Sequence, residues 1–229
     1  MQNVTGVQIE LAVVDMAGTT VADDGLVIRA FDEAASAVGV PAEGDERENA
    51  RRYVVDTMGQ SKIEVFRALF GAEERAQHAN TAFETAYRNS IDGGVRPIPG
   101  AAEAITQLRD AGVKVVLTTG FSGTTQALLL DALGWGQLAD LVLAPSAGVR
   151  GRPYPDLVLS ALMRTGVDDV AKVAVAGDTT SDVLSGLRAG ARIVAGTLTG
   201  AHDEAALKGA GATHVLASIA DFPSIILSR

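Results

Sequence analysis

Ile9-Glu10-Leu11-Ala12-Val13-Val14-Asp15-Met16-Ala17-Gly18-Thr19 is the stretch that decides how this chain is read. A short apolar run with β-branched residues ends abruptly at an aspartate and a glycine turn. That pattern predicts a buried strand. From Leu26 to about Ser90 the pattern becomes helical. Leu26, Ala30, Phe31, Ala34, Ala37 and Val38 fall on one face, and Gly39 and Pro41 end it. Further helices are predicted over 43–57, 62–70 and 73–89, with no strand pattern between them.

After the Pro97–Gly100 turn, helices and strands alternate. The helices are expected at 101–110, 124–133, 156–164 and 181–189, and the strands at 113–118, 141–143, 172–176, 192–195 and 213–216. Alternation at this spacing predicts right-handed crossovers and a parallel sheet. The fold class is therefore α/β, a Rossmann-like parallel sheet with an inserted all-helical cap. Residues 1–22 and 95–229 form the core and 23–94 the cap. Ligands of open parallel sheets bind at the carboxyl ends of the strands. Asp15, Thr119 and Asp178 should meet at that rim, and the insert emerges from the same rim, placed to close over it.

Composition narrows the function classes. The hydrophobic fraction of 47% supports a substantial core, and the absence of cysteine excludes disulfides and thiolate chemistry. A net charge of −9 argues against nucleic acid as a partner. The N-terminus shows no signal peptide and no apolar run is long enough for a membrane span. A cytoplasmic protein acting on a small molecule is the expectation. Arg51-Arg52 reads as a solvated helix face, and His78, His202 and His214 as surface or structural residues.

Four further segments accompany the opening stretch: Met58-Gly59-Gln60-Ser61-Lys62-Ile63-Glu64, Thr118-Thr119-Gly120, Gly151-Arg152-Pro153-Tyr154-Pro155 and Gly177-Asp178-Thr179-Thr180-Ser181-Asp182. Together they resemble the haloacid dehalogenase superfamily, and within it phosphonoacetaldehyde hydrolase (phosphonatase) and its phosphonatase-like relatives. The usual opening motif, Asp-x-Asp-x-Thr, is Asp15-Met16-Ala17-Gly18-Thr19 here, similar to the phosphonatase form.

The resemblance implies a chemistry. Asp15 would attack phosphorus and form an aspartyl-phosphate. Asp15, the Ala17 carbonyl and Asp178 would ligate Mg²⁺, and Asp182 would orient a metal-bound water. Thr119 and the Gly120 amide would hold the phosphonate oxygens, with Arg152 adding positive charge. Thr118 trades roles with Thr119 if the strand ends one residue earlier. The Gly18 and Thr19 amides would contribute a phosphate-binding turn, and Met58 and Gly59 would line the substrate site. Ala17 stands where phosphatases carry the acid that protonates a departing alkoxide. Lys62 would condense with the substrate aldehyde, so that attack on phosphorus expels an enamine instead of a carbanion. Ser61-x-x-Glu64 has the spacing of a capping box, which would place Lys62 in a first helical turn and favour its neutral form. Glu64 paired with Lys62 would do the opposite.

Several positions depart from the phosphonatase pattern. Val65 replaces a histidine thought to move protons, Phe121 a tyrosine, Met16 a tryptophan and Leu26 a cysteine. These changes touch the pocket and the proton transfers, so a substituted 2-oxoethylphosphonate is an expected alternative to phosphonoacetaldehyde. The competing expectation is a phosphatase or phosphotransferase acting on a small organic phosphate, with Asp23 or Asp24 as an irregular acid. The resemblance also leaves a homodimer open.

Overall fold

The computed structural model describes residues 8–91 and 94–228. Its first strand, β1 (Leu11–Asp15), is buried along its whole length. Successive side chains of a strand point to opposite faces. Leu11 and Val13 pack with Val116, Leu157, Val158, Val173 and Val175. Ala12 and Val14 pack with Phe31, Ile105 and Leu117 on the other face. A strand covered on both faces needs no polar alternation, which is why the sequence shows an unbroken apolar run.

Five more strands complete the sheet: β2 (Lys114–Thr118), β3 (Leu141–Leu143), β4 (Val173–Gly177), β5 (Ile193–Thr197) and β6 (His214–Leu216). Their order is β3-β2-β1-β4-β5-β6, all parallel. Asp15 lies level with Thr118 across the β1–β2 pair, so both end at the carboxyl rim. Chain direction reverses around β1, the topological switch point where open α/β sheets form their crevice.

Helices α1 (Leu26–Ala37), α2 (Asp45–Asp56), α3 (Lys62–Phe70) and α4 (Glu73–Ile91) follow β1 directly. Helix α4 packs on α1 and α3 and reaches α6 (Gly123–Leu133) beyond the insert. The apolar faces interlock through aromatic rings. Phe66 stacks on Phe31 at 6.0 Å and meets Phe83 edge-on at 5.9 Å. Phe121, from the loop after β2, stacks on Phe83 and lies 4.4 Å from Tyr87. This core residue is thus embedded in the insert, and one apolar cluster runs from the sheet into α1, α3 and α4.

The remaining helices, α5 (Ala101–Asp110), α7 (Asp156–Thr165) and α8 (Thr180–Ala189), cover the sheet where the alternation places them. Two short helices, α9 (Glu204–Gly209) and α10 (Phe222–Leu227), were not expected. Six residues are too few to display a 3.6-residue period. No helix among the described residues is long and apolar enough to cross a membrane.

Candidate active site

The loop after β1 folds back on itself. The Met16 carbonyl accepts the Thr19, Thr20 and Val21 amides at 2.8–3.1 Å, and the Gly18 amide donates to the Val21 carbonyl at 2.7 Å. The Gly18 and Thr19 amides, expected to face phosphate, are therefore committed within the turn. The Thr19 hydroxyl instead donates to Asp178 Oδ1 at 3.0 Å and fixes that carboxylate. Asp178 follows β4 and also accepts the Ala201 amide at 2.8 Å. The loop after β5 thus buttresses the rim, and Thr199 bonds the Gly18 carbonyl at 2.7 Å. Thr199, Gly200 and Ala201 line the cavity but carry no recognisable motif. Their one signal is position: they follow a fourth strand end.

Asp182 lies in the first turn of α8. Its carboxylate accepts the Thr179 amide at 3.1 Å while the Thr179 hydroxyl accepts the Asp182 amide at 3.2 Å, a complete capping box. The other Asp182 oxygen meets Arg152, whose Nη1 also bonds Asp15. The arginine therefore bridges two buried carboxylates, and its Nε has no partner among the described residues.

Asp15, Asp178 and Asp182 can each bring a carboxylate oxygen within 4.8 Å of the others, all three buried. Burial, followed by the influence of Arg152 in the opposite sense and by the charges of Asp182 and Asp178, leaves Asp15 well above the usual carboxylate range. Burial and then Asp182 raise Asp178 to about 6. One guanidinium does not neutralise three buried carboxylates, and uncompensated buried charge is costly. An all-oxygen donor set that lacks positive charge fits a hard divalent cation such as Mg²⁺.

A cavity of about 430 Å³ opens over this rim. Asp15, Ala17, Met58, Gly59, Lys62, Thr119, Gly120, Arg152 and Asp178 all line it. The sequence motifs are thus brought to one space from both the sheet and the insert. Thr118 is held back by a 3.4 Å bond to the Val14 carbonyl, so Thr119 is the threonine that faces the cavity.

Lys62 opens α3 and its side chain is turned inward, 8% exposed. Its Nζ lies 5.9 Å from the Phe83 ring centre and 5.5 Å from that of Phe121. The side-chain amine forms no hydrogen bond or ion pair among the described residues. Burial first, then the nearby Arg152, lower its pKa to about 8, against the opposing charges of Asp23, Asp15 and Glu84. The expected capping box ahead of it does not form: Ser61 makes no side-chain cap bond. Glu64 turns away to Arg67 at 2.6 Å, and Arg67 also pairs with Glu73. Glu64 therefore neither caps the helix nor holds the lysine.

The seam between insert and core is closed at the level of the backbone. The Lys62 amide donates to the Gly120 carbonyl at 3.3 Å. A β-carbon on Gly120 would lie 2.5 Å from the Gln60 carbonyl oxygen, and one on Gly59 would strike the Thr179 side chain. Val65 and Met16 are core residues, and Leu26 is partly buried against the same core.

Residues 9–190 match the family model "haloacid dehalogenase-like hydrolase". The phosphonoacetaldehyde hydrolase of Bacillus cytotoxicus is 31% identical over 202 residues, 80% of this chain and 74% of that protein. A bifunctional phosphonoacetaldehyde hydrolase/aminoethylphosphonate transaminase of Clostridioides difficile is 29% identical over 209 residues, 83% of this chain but only 32% of that protein. The probable phosphatase IndB of Dickeya dadantii is 26% identical over 231 residues, 93% of this chain and 97% of that protein. Among solved structures, the phosphonoacetaldehyde hydrolase-like protein of Oleispira antarctica superposes with a TM-score of 0.82 at 24% identity, over 99% of this chain and 95% of that one, which speaks to the fold. The chain belongs to the haloacid dehalogenase-like hydrolases.

Proposed function

We propose that this hydrolase is a Mg²⁺-dependent phosphonatase-like enzyme that cleaves the C–P bond of phosphonoacetaldehyde or a substituted 2-oxoethylphosphonate. The observation that carries the reading is Lys62, a buried amine unpaired among the described residues, with its pKa lowered to about 8, in the same cavity as Asp15. A buried lysine held in its charged form costs stability, and a lowered pKa supplies the neutral amine that imine formation needs. Ala17 supports the same reading. It offers no proton to a departing alkoxide, whereas an enamine leaving group requires none at oxygen.

In this reading residues 23–94 act as a cap over the core formed by 1–22 and 95–229. Arg152, Thr119 and the Gly120 amide orient the phosphonate oxygens, and Lys62 forms the imine with the aldehyde carbon. The Asp15 carboxylate then attacks phosphorus in line, and the C–P electron pair passes into the imine to give an enamine. Mg²⁺, held by Asp15, Asp178 and the Ala17 carbonyl with Asp182 nearby, would screen the repulsion between carboxylate and phosphonate. Protonation of the enamine carbon restores the imine, and water finally cleaves the imine and the aspartyl-phosphate. A cavity of about 430 Å³ falls within the ~300–1,000 Å³ span of small-ligand sites and leaves space for a substituent on the two-carbon chain.

The near-full-length similarity to a probable phosphatase favours a second reading, a phosphatase acting on a small organic phosphate. Phosphate release with Mg²⁺ from phosphonoacetaldehyde, set beside a panel of sugar phosphates, separates the two. Turnover of the phosphonate that is lost in Lys62→Ala supports the first reading. Phosphomonoester turnover that survives Lys62→Ala, without phosphonate turnover, supports the second.

A further inference from the structure

We propose that Asp23 is the proton-transfer partner of Lys62, taking the ammonium proton as the amine attacks and returning it to the hydroxyl that leaves as water. The proposal rests on the Schiff-base reading above and deepens it. Imine formation from a lysine ammonium and an aldehyde moves two protons from nitrogen to oxygen. One passes from nitrogen to the new alkoxide, giving the carbinolamine. The other must be held by a nearby base and delivered as the C–O bond breaks and the nitrogen lone pair closes the C=N bond. On hydrolysis the same carboxylate takes a proton from the attacking water and later returns it to the departing amine. Over imine formation and hydrolysis the carboxylate ends as it began, and the proton that the enamine carbon takes up is matched by the one released when water cleaves the aspartyl-phosphate.

The residue expected from phosphonatases to do this work is a histidine, and the chain has Val65 there, 4% exposed and packed in the core. The base must therefore come from elsewhere. The titratable side chains lining the cavity are Asp15, Asp23, Asp24, Lys62, Arg152 and Asp178. Asp15 and Asp178 belong to the carboxylate cluster at the rim, and Arg152 is committed to Asp15 and Asp182. Asp24 is exposed and paired with Arg96 at 2.7 Å. On the far side of Lys62 a second cavity holds Glu64, paired with Arg67, and Glu84, which binds the Ser122 hydroxyl at 2.7 Å and Thr125. Tyr87 keeps a buried hydroxyl without a partner among the described residues, but burial pushes its pKa upward and it does not serve as a base near neutral pH.

Asp23 remains. It sits just ahead of α1, where Oδ1 accepts the Val27 amide at 3.2 Å and holds the carboxyl at the cavity wall. Burial raises its pKa, while the Val27 amide and the Lys62 charge act in the opposite sense. Lys62 in turn feels the Asp23 charge. Asp23 and Lys62 line the same cavity, and a carboxyl of raised pKa facing the same space as an amine of lowered pKa narrows the free-energy gap for passing one proton between them.

The test is the rate of borohydride trapping with phosphonoacetaldehyde at pH 7.5, in wild type, Asp23→Asn and Asp23→Glu. Asparagine still accepts the Val27 amide, so the helix start is kept. Removing the negative charge also lowers the Lys62 pKa, so a merely electrostatic Asp23 predicts equal or faster trapping in D23N. The proposal predicts trapping at least ~10-fold slower in D23N, in line with general acid–base contributions, and recovery in D23E. Equal or faster trapping in D23N beside a wild type that traps normally overturns the assignment of Asp23 alone. Absence of any adduct in wild type overturns the Schiff-base reading and this proposal together.

Discussion

Lys62→Met should make this protein more stable, although it removes the residue assigned the central chemical role. Methionine nearly matches the lysine stem in volume, so packing against Phe83 and Phe121 is retained while the charge is lost. The folded-state pKa of about 8 lies below the ordinary 10.5. At about 1.4 kcal/mol per unit, holding a charged Lys62 costs on the order of 3 kcal/mol at pH 7. The sign follows from linkage. Between pH 8 and 10.5 the unfolded chain binds the proton that the folded chain has released, so wild-type stability rises over that window. The advantage of Lys62→Met is therefore full below pH 8 and vanishes above about 10.5. Urea unfolding of both proteins at pH 7 and at pH 10 measures it. A gain of about 3 kcal/mol corresponds to roughly 6–12 °C in Tm for a chain of this size. Equal stability at both pH values, or a mutant less stable at pH 7, would refute the view that Lys62 is a strained, buried amine.

Other perturbations separate the parts of the site. Asp15→Asn should abolish phosphate release while leaving imine formation on Lys62 detectable by borohydride trapping; loss of both would mean the two groups do not act in sequence. Without metal, raised Asp178 makes the folded protein bind more protons than the unfolded chain between pH 3.8 and about 6, so this group stabilises as pH falls through that window. Mg²⁺ should accordingly raise Tm at pH 7.5 and lose most of that effect by pH 5, and Asp178→Asn should remove the Mg²⁺ response; calorimetry with and without EDTA decides it. Gly120→Ala drives a methyl group against the Gln60 carbonyl and forces the insert off the core. It should cost roughly 100-fold in kcat/KM, the scale of an ångström-sized misplacement, and unchanged kinetics would show that this seam does not set the geometry.

The sheet and the insert were legible because their signals are long or abrupt. Strand β1 announces itself by an apolar run ending at Asp15, and α3 begins at Lys62 as its pattern predicts. The rim residues followed from strand ends, since parallel strands bring Asp15, Thr119 and Asp178 to one edge whatever their separation in sequence. Local side-chain partners were less legible. Ser61-x-x-Glu64 has the spacing of a cap, yet Arg67 one turn on offers Glu64 a charged partner, and the ion pair forms instead. The committed amides of Gly18 and Thr19 depend on the path of the loop back to Val21, which spacing does not encode. Arg47 reads as one more charge in a polar helix. It is in fact 1% exposed, bonding the Asp32, Val40 and Pro41 carbonyls at 2.7–2.9 Å inside the insert. Nothing in its immediate sequence distinguishes it from the solvated Arg51 beside it, which is held by Asp32 at the surface.

In the proposed reaction an amine from the helical insert and a carboxylate from the sheet act on one substrate. Incubation with phosphonoacetaldehyde and borohydride, followed by peptide mass spectrometry, tests it most directly. A single reduced adduct on Lys62, absent from Lys62→Ala, is the expected result; an unmodified Lys62 during active phosphate release from the phosphonate would contradict the Schiff-base route.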